Sequence, residues 1–295
     1  GGAVLVTPLL VLGFGIPAST AVSSDVVAGA VVKPVGATVH GRRGTVHWGL
    51  VTWLSVGSIP GVLIGTLIFA NLVDAETGQS TIKTMLGVVL LVALAATLMR
   101  GRLARRNAAL RGAPDDDPAR GPHAPVKKPI TVLIGLLVGI LVGTTSVGSG
   151  SLIVTSLLLL YPLLRPSVLV GTDLMQAVPM LVTGAIAHMG LGDVDWRLTA
   201  ALLVGQIPGV WMGARLSSRY DGVLLRWLLM VVLAATSLRL LGVPIIVSAI
   251  VAVGGVLVVT VAILRERAAA KAAAASAPVE AASAETEHPP PLPAD

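Results

Sequence analysis

Two aspartates, Asp25 and Asp173, stand 148 positions apart, each in an otherwise apolar stretch and each behind small residues, as Ser23-Ser24-Asp25 and Gly171-Thr172-Asp173. A carboxylate some two turns inside an apolar helix costs several kcal/mol unless it is solvated, paired or protonated, which makes it a candidate for handling substrate or protons. The competing reading is a helix N-cap, a position that Ser, Thr and Asp favour. Lys33 lies between Val32 and Pro34 with no loop nearby. Pro34 removes a backbone hydrogen bond and kinks the helix, and a cation at such a kink suits an anionic substrate or a salt bridge to Asp25. Snorkelling toward a helix end is the structural alternative.

Glycines and hydroxyls cluster at Gly1-Gly2 and along Thr144-Thr145-Ser146-Val147-Gly148-Ser149-Gly150-Ser151, ahead of apolar runs too short to cross a bilayer. A helix broken there exposes backbone N–H groups at the positive end of its dipole, a ready site for an anion; tight packing through small residues is the alternative. The candidate substrate-binding residues are therefore Gly1, Gly2, Ser24, Asp25, Lys33, Ser146, Gly148, Ser149, Gly150, Thr172 and Asp173. His40 and His188 precede charged loops, a placement that suggests a membrane interface rather than its centre. Each could relay protons near neutral pH, or serve as a satisfied helix-end histidine. There is no nucleotide-binding loop, metal-binding cluster or hydrolase elbow, so no catalytic residue, metal or cofactor is expected. Gly148-Ser149-Gly150 is only faintly like an intramembrane serine-protease turn.

These residues are placed by an internal duplication. Residues 2–65 lie over 150–213 without a gap, pairing Asp25 with Asp173, His40 with His188, Trp48 with Trp196, and Gly57, Pro60-Gly61 and Gly65 with Gly205, Pro208-Gly209 and Gly213. Lys33 falls on Leu181, so a cationic site would be asymmetric. A period this long marks a duplicated half-protein, an arrangement common among membrane transporters. By the same shift, segment 130–147 should have a partner upstream of residue 1, so the chain is expected to lack an original first helix, unless the protein is genuinely shorter. The runs Gly57-xxx-Gly61-xxx-Gly65 and Gly205-xxx-Gly209-xxx-Gly213 put glycine on one helix face and predict close-packing ridges.

Composition fixes the solvent. Hydrophobic residues make up 54% and charged ones 12% of 295 residues, and mean hydropathy is +0.87, as in a polytopic membrane protein. The stretches 18–40, 49–70, 78–99, 130–147, 168–189, 197–216, 222–239 and 243–264 approach or exceed the ~20 residues a spanning helix needs. Stretches 2–13 and 150–164 are shorter. Without cysteine the chain has no disulfide or thiolate metal site. The net charge of +6 is explained by helix ends and loops rather than by nucleic acid, because cytoplasmic helix ends collect Arg and Lys.

Segment 100–128, with eight Arg and Lys against Asp115, Asp116 and Asp117, reads as a flexible cytoplasmic linker. Residues from about 268 onward are Ala, Glu, Pro and Ser and read as a disordered tail. With the linker inside, and 150–164 crossing in some broken form, the loop at Arg42-Arg43, Arg165, Arg215, Arg219 and Arg265-Glu266-Arg267 fall inside; the Asp74/Glu76 and Asp193/Asp195 loops fall outside. Equivalent loops then face opposite ways, and the copies are inverted. If the short segments do not cross, the copies are parallel.

The twice-repeated pattern resembles the TauE/SafE sulfite exporter family of membrane permeases. It reads Ser23-Ser24-Asp25, His40, Gly44-Thr45-Val46-His47-Trp48 and Gly57-Ser58-Ile59-Pro60-Gly61, then Gly171-Thr172-Asp173, His188, Gly192-Asp193-Val194-Asp195-Trp196 and Gly205-Gln206-Ile207-Pro208-Gly209. The likeness covers most of residues 1–241 and implies movement of sulfite, sulfoacetate or related small organosulfur anions, commonly outward. The expected fold is an all-α integral membrane protein of two inverted-topology repeats with short broken or re-entrant helices. The segments are 1–99, linker 100–128, 129–241, an extra helix 242–264 and tail 265–295. The expected role is secondary transport of a small anion across the bacterial plasma membrane, with Asp25, Asp173 or the histidines taking up a coupling proton. A non-transporting membrane subunit or sensor is the alternative. Expected partners are the anion, the bilayer and a second copy of the chain, with no nucleic acid.

Single cysteines at Thr45 and Gly192 test the inversion: an impermeant thiol reagent applied to intact cells should label Gly192→Cys and spare Thr45→Cys. Labelling of both from one side contradicts it.

Overall fold

The computed structural model describes residues 3–109, 121–191, 193–217, 222–257 and 260. Every regular element among them is an α-helix: α1 (Ala3–Gly13), α2 (Ala18–Arg42), α3 (Trp48–Val73), α4 (Gly78–Ala109), α5 (Lys128–Thr145), α6 (Ser149–Leu160), α7 (Pro166–Leu191), α8 (Trp196–Ser217) and α9 (Gly222–Leu240), followed by α10 (Ile245–Leu257). Helices are what these apolar runs must form, because in hydrocarbon each backbone N–H and C=O needs a partner within its own segment. Among the described residues five, α2 to α5 and α7, are long and apolar enough to cross a bilayer. The chain is an all-helical integral membrane protein.

The tightest packing joins α3 to α5. A Cβ at Gly57, Gly61 or Gly65 would collide with the carbonyls of Val132, Leu136 and Ile140, and one at Gly135, Gly139 or Gly143 with those of Leu54, Ser58 and Val62. Residue number rises together along both helices, so they run parallel with their backbones in contact, the geometry small residues permit where lipid supplies no hydrophobic drive. The equivalent ridge on α8 is different: a Cβ at Gly205 or Gly209 would meet nothing within 4 Å. Among the described residues the predicted ridge is filled on α3 only.

Helices α2 and α7 cross antiparallel. Gly29 faces Leu181, Gly36 faces Leu174, and Ser23 Oγ bonds His188 Nδ1 at 3.0 Å. Two further bonds are related by the internal repeat: Ser24 Oγ accepts from Asp195 N at 3.1 Å, and Thr172 Oγ1 accepts from His47 N at 3.0 Å. Each hydroxyl, two turns into its helix, thus clips the start of the other half's third helix. His47 Nδ1 then accepts from Leu50 N (3.1 Å) and Asp195 Oδ1 from Arg197 N (2.8 Å), capping α3 and α8. Trp48 and Trp196, the first residues of these helices, are 60% and 62% exposed, as expected of interfacial anchors.

The break predicted near residue 146 is present. Ser146 adopts φ 61° and Gly148 φ 115°, in the turn between the end of α5 at Thr145 and the start of α6 at Ser149. At 12 residues, or about 18 Å, α6 is too short to span ~30 Å of hydrocarbon. It returns to the end from which α5 started: Tyr161 Oη accepts from Lys127 N at 2.8 Å, and Asn107 Nδ2 donates to Leu158 O at 3.1 Å. The linker departs from expectation. Its first ten residues continue α4 to Ala109, because Arg102 to Asn107 carry no helix breaker. Its last residues are tied down, with His47 Nε2 bonded to Ala124 O at 2.8 Å. Residues 110–120 and the tail 265–295 lie outside the described residues.

The repeat supplies a paired test of the packing. Gly61→Ala should lower the thermal stability of the purified protein by about 1–3 kcal/mol through overpacking, whereas Gly209→Ala at the equivalent position should be neutral or mildly stabilising, Ala being the better helix former. Equal effects would contradict the asymmetry.

Candidate functional site

Because α2 starts at Ala18 and α7 at Pro166, Asp25 and Asp173 both sit two turns inside their helices and cap neither. Asp25 is 2% exposed and gathers donors from three other elements. Thr7 Oγ1 of α1 and Ser146 Oγ of the α5–α6 turn each donate to Oδ2 at 2.8 Å, and Gln206 Nε2 of α8 donates to Oδ1 at 3.4 Å. The left-handed backbone of Ser146, which costs on the order of 1–3 kcal/mol in a residue with a Cβ, is what aims its hydroxyl at this carboxylate. Gln206 and Thr7 were not among the sequence candidates. A signal existed for both, since Thr7 recurs as Thr155 and Gln206 overlies Ser58 as polar residues in apolar helices.

Lys33, midway along α2, donates from Nζ to Ser149 Oγ at 3.0 Å rather than bonding Asp25. Ser149 is the first residue of α6, whose N-cap, Gly148, supplies no side-chain cap. The ammonium and the positive end of the α6 dipole therefore meet at Ser149, where the N–H groups of a helix's first turn, Gly150 among them, lack intrahelical partners. Ser151 Oγ, in the same turn, is buried without a partner. The arrangement can hold a small anion.

The remaining candidates divide. Ser24 and Thr172 are spent on the clips already described. Asp173 is 6% exposed, its Oδ1 has no hydrogen-bond partner among the described residues, and it lies within electrostatic reach of Lys33. Gly1 and Gly2 lie outside the described residues. His188, expected at an interface, is fully buried: α7 carries it against Ser23, against Gly143 O at 2.9 Å and edge-on to Phe69. A carbonyl only accepts, so Nε2 bears a hydrogen and in the neutral ring Nδ1 accepts from Ser23. His40, half-buried, bonds Thr45 Oγ1 at 2.9 Å. His47, passed over in the sequence, is 3% exposed and joins α3 to the linker.

Two surface features frame the site. Burial and the neighbouring Asp74 carboxylate push the Asp193 carboxyl up from its usual range, which puts the two acidic loops at the same end of the molecule. Between α1 and α8 lies a cleft of about 390 Å³ lined by apolar residues such as Leu10 and Leu202, with Gln206 at its edge. Gln206, whose amide reaches Asp25, thus also lines this cleft.

A sequence profile described as sulfite exporter TauE/SafE matches residues 1–240. Among characterised sequences, the chain is 35% identical over 245 residues to the probable membrane transporter protein YjnA of Bacillus subtilis (strain 168), covering 82% of this chain and 92% of that protein. It is 29% identical over 270 residues to the probable membrane transporter protein YdhB of the same organism, with the same coverage. No solved structure matches.

Proposed function

The chain belongs to the sulfite exporter TauE/SafE family and is a multi-pass membrane transporter rather than an enzyme, and from that premise we propose that it carries a small oxyanion, sulfite or an organosulfonate, across the bacterial plasma membrane by secondary transport. The observation behind this reading is the meeting of Lys33 with the uncapped N-terminus of α6 at Ser149. A sulfur oxyanion presents several acceptor oxygens and no obligatory donor. Backbone N–H groups, the Ser149 and Ser151 hydroxyls and one ammonium are its complement, and neither a metal nor a nucleotide is needed to bind it.

In this proposal the halves are inverted repeats and the anion site lies where they meet. Support comes from the antiparallel crossing of α2 with α7 and from the clips at Ser24–Asp195 and Thr172–His47, which exchange places under the 148-residue shift. Transport then requires the α5–α6 turn to move against α2, alternately opening the Ser149 end of α6 to each face. The Asp25 hydrogen bonds to Thr7, Ser146 and Gln206 hold that turn shut in the present conformation. The coupling proton is assigned to the buried carboxyls.

Lys33 tests the reading. In proteoliposomes, Lys33→Met should reduce flux of radiolabelled sulfite by about ten- to a hundredfold, the equivalent of one lost charge-assisted hydrogen bond at ~1.5–3 kcal/mol, with protein level unchanged. Lys33→Arg should retain part of the flux, since a point charge matters more here than shape. Undiminished flux in Lys33→Met would make the ammonium a structural group.

A further inference from the structure

The backbone N–H groups of Leu50 and Leu198 correspond under the internal repeat. Each belongs to the third residue of its helix, α3 or α8, and so has no acceptor within that helix. The two are satisfied by different chemistry. Leu50 N donates to His47 Nδ1 at 3.1 Å, whereas Leu198 N donates to Asp195 Oδ1 at 3.1 Å. His47 and Asp195 are themselves repeat partners, so one helix start is capped by an imidazole and the other by a carboxylate.

Both ring partners of His47 are backbone groups of fixed role. Nε2 meets Ala124 O at 2.8 Å, and a carbonyl only accepts. Nδ1 meets the Leu50 N–H, which only donates. The two bonds together require the neutral ring with its hydrogen on Nε2. His40 and His188 differ, since each turns Nδ1 toward a hydroxyl, of Thr45 and Ser23 respectively, and a hydroxyl can give or accept. A second proton on His47 sets N–H against N–H at Leu50. Imidazole is the side chain whose charge ordinarily changes between about pH 5 and 8, carboxylates ordinarily doing so lower.

We propose that His47 is a pH-operated clip: neutral, it caps α3 and holds the segment before α5; protonated, it lets both go. The proton comes from water and returns to water, and no other bond changes. The ring is rigid and buried, 3% exposed, so a turn that takes Nδ1 off Leu50 also takes Nε2 off Ala124. The backbone N–H of the same residue is bonded to Thr172 Oγ1 at 3.0 Å, so the turn also loosens the hold of α3 on α7. The charged and titratable residues of the elements packed around the ring are His40, Arg42 and Arg43 at the end of α2, His123, Lys127 and Lys128 before and at the start of α5, Arg165 just before α7 and Asp173 within it. Helix α3 itself contributes none. With Asp173 the one acid in this set, a ring that becomes charged among these cations is drawn out toward water. The clip is independent of what the protein carries, and its failure would leave the anion reading standing.

The test is amide hydrogen exchange of the full chain in lipid vesicles, each rate taken relative to an unstructured peptide at the same pH. Between about pH 7.5 and 5.5, across the imidazole range, the Leu50 amide of the wild type should lose about tenfold in protection, the order of one lost cap, while the Leu198 amide holds. Residues 121–127 should loosen with the same midpoint. This comparison lies within one molecule and needs no variant. His47→Asn, which caps a helix without titrating, should abolish both pH steps. A Leu50 amide indifferent to pH, a Leu198 amide that loosens as much, or a step at Leu50 that persists in His47→Asn overturns the proposal.

Discussion

The rest of the structure depends on the contact of α3 with α5, where two facing rows of glycine bring backbone against backbone over Gly57, Gly61, Gly65 and Gly135, Gly139, Gly143. Within lipid, helices gain little from hiding apolar surface, so close van der Waals approach is what fixes them. This contact holds α5 at a set height along α3 and so decides where α5 may stop. It stops at Thr145, level with the buried Asp25, and Ser146, the non-glycine residue of the left-handed turn that follows, is the one that reaches that carboxylate. Gly143 takes part twice, packing on α3 and offering its carbonyl to His188. Scaffold and polar seam are joined through a single turn of helix.

The seam itself is a ledger of donors and acceptors in which every buried group must find a partner or a reason for lacking one. Around Asp25 the partners come from α1, the α5–α6 turn and α8, so the carboxylate acts as a knot between elements far apart in sequence. In the second half Thr172 is bound as tightly as Ser24, and Asp173 beside it is buried. The halves also differ in Lys33, which stands against Leu181. Differences of this kind suit a transporter, which must bind its cargo once per cycle rather than twice.

Much of this was legible in the sequence, and the parts that were not have identifiable causes. The membrane class, the duplication and the break after Thr145 follow from apolar run lengths, a fixed offset and a cluster of small residues, all of which are local or self-comparing signals. Asp25, Asp173 and Lys33 announce themselves because charge inside an apolar helix is expensive. Gln206, Gln176, Thr7 and Ser58 do not, since a neutral polar residue is cheap enough in a membrane helix to pass as background, and only its partner across the fold gives it meaning. His188 was misplaced for a related reason: its nearness to the charged loop suggested the interface, whereas the packing of α7 brings Ser23 and Gly143 to its two ring nitrogens. The continuation of α4 to Ala109 was hidden by charge, which resembled a linker although Arg is a good helix former.

The central claim, that Lys33 and the N-terminus of α6 form an anion site, is tested most directly by ligand-dependent heat stability of the purified protein. Whatever binds the folded state alone stabilises it, by about 2.7 kcal/mol when its concentration is a hundredfold above Kd. The account predicts that sulfite raises the Tm of the wild type to a plateau and leaves Lys33→Met unmoved. An equal rise in Lys33→Met, or no rise in the wild type, would contradict it.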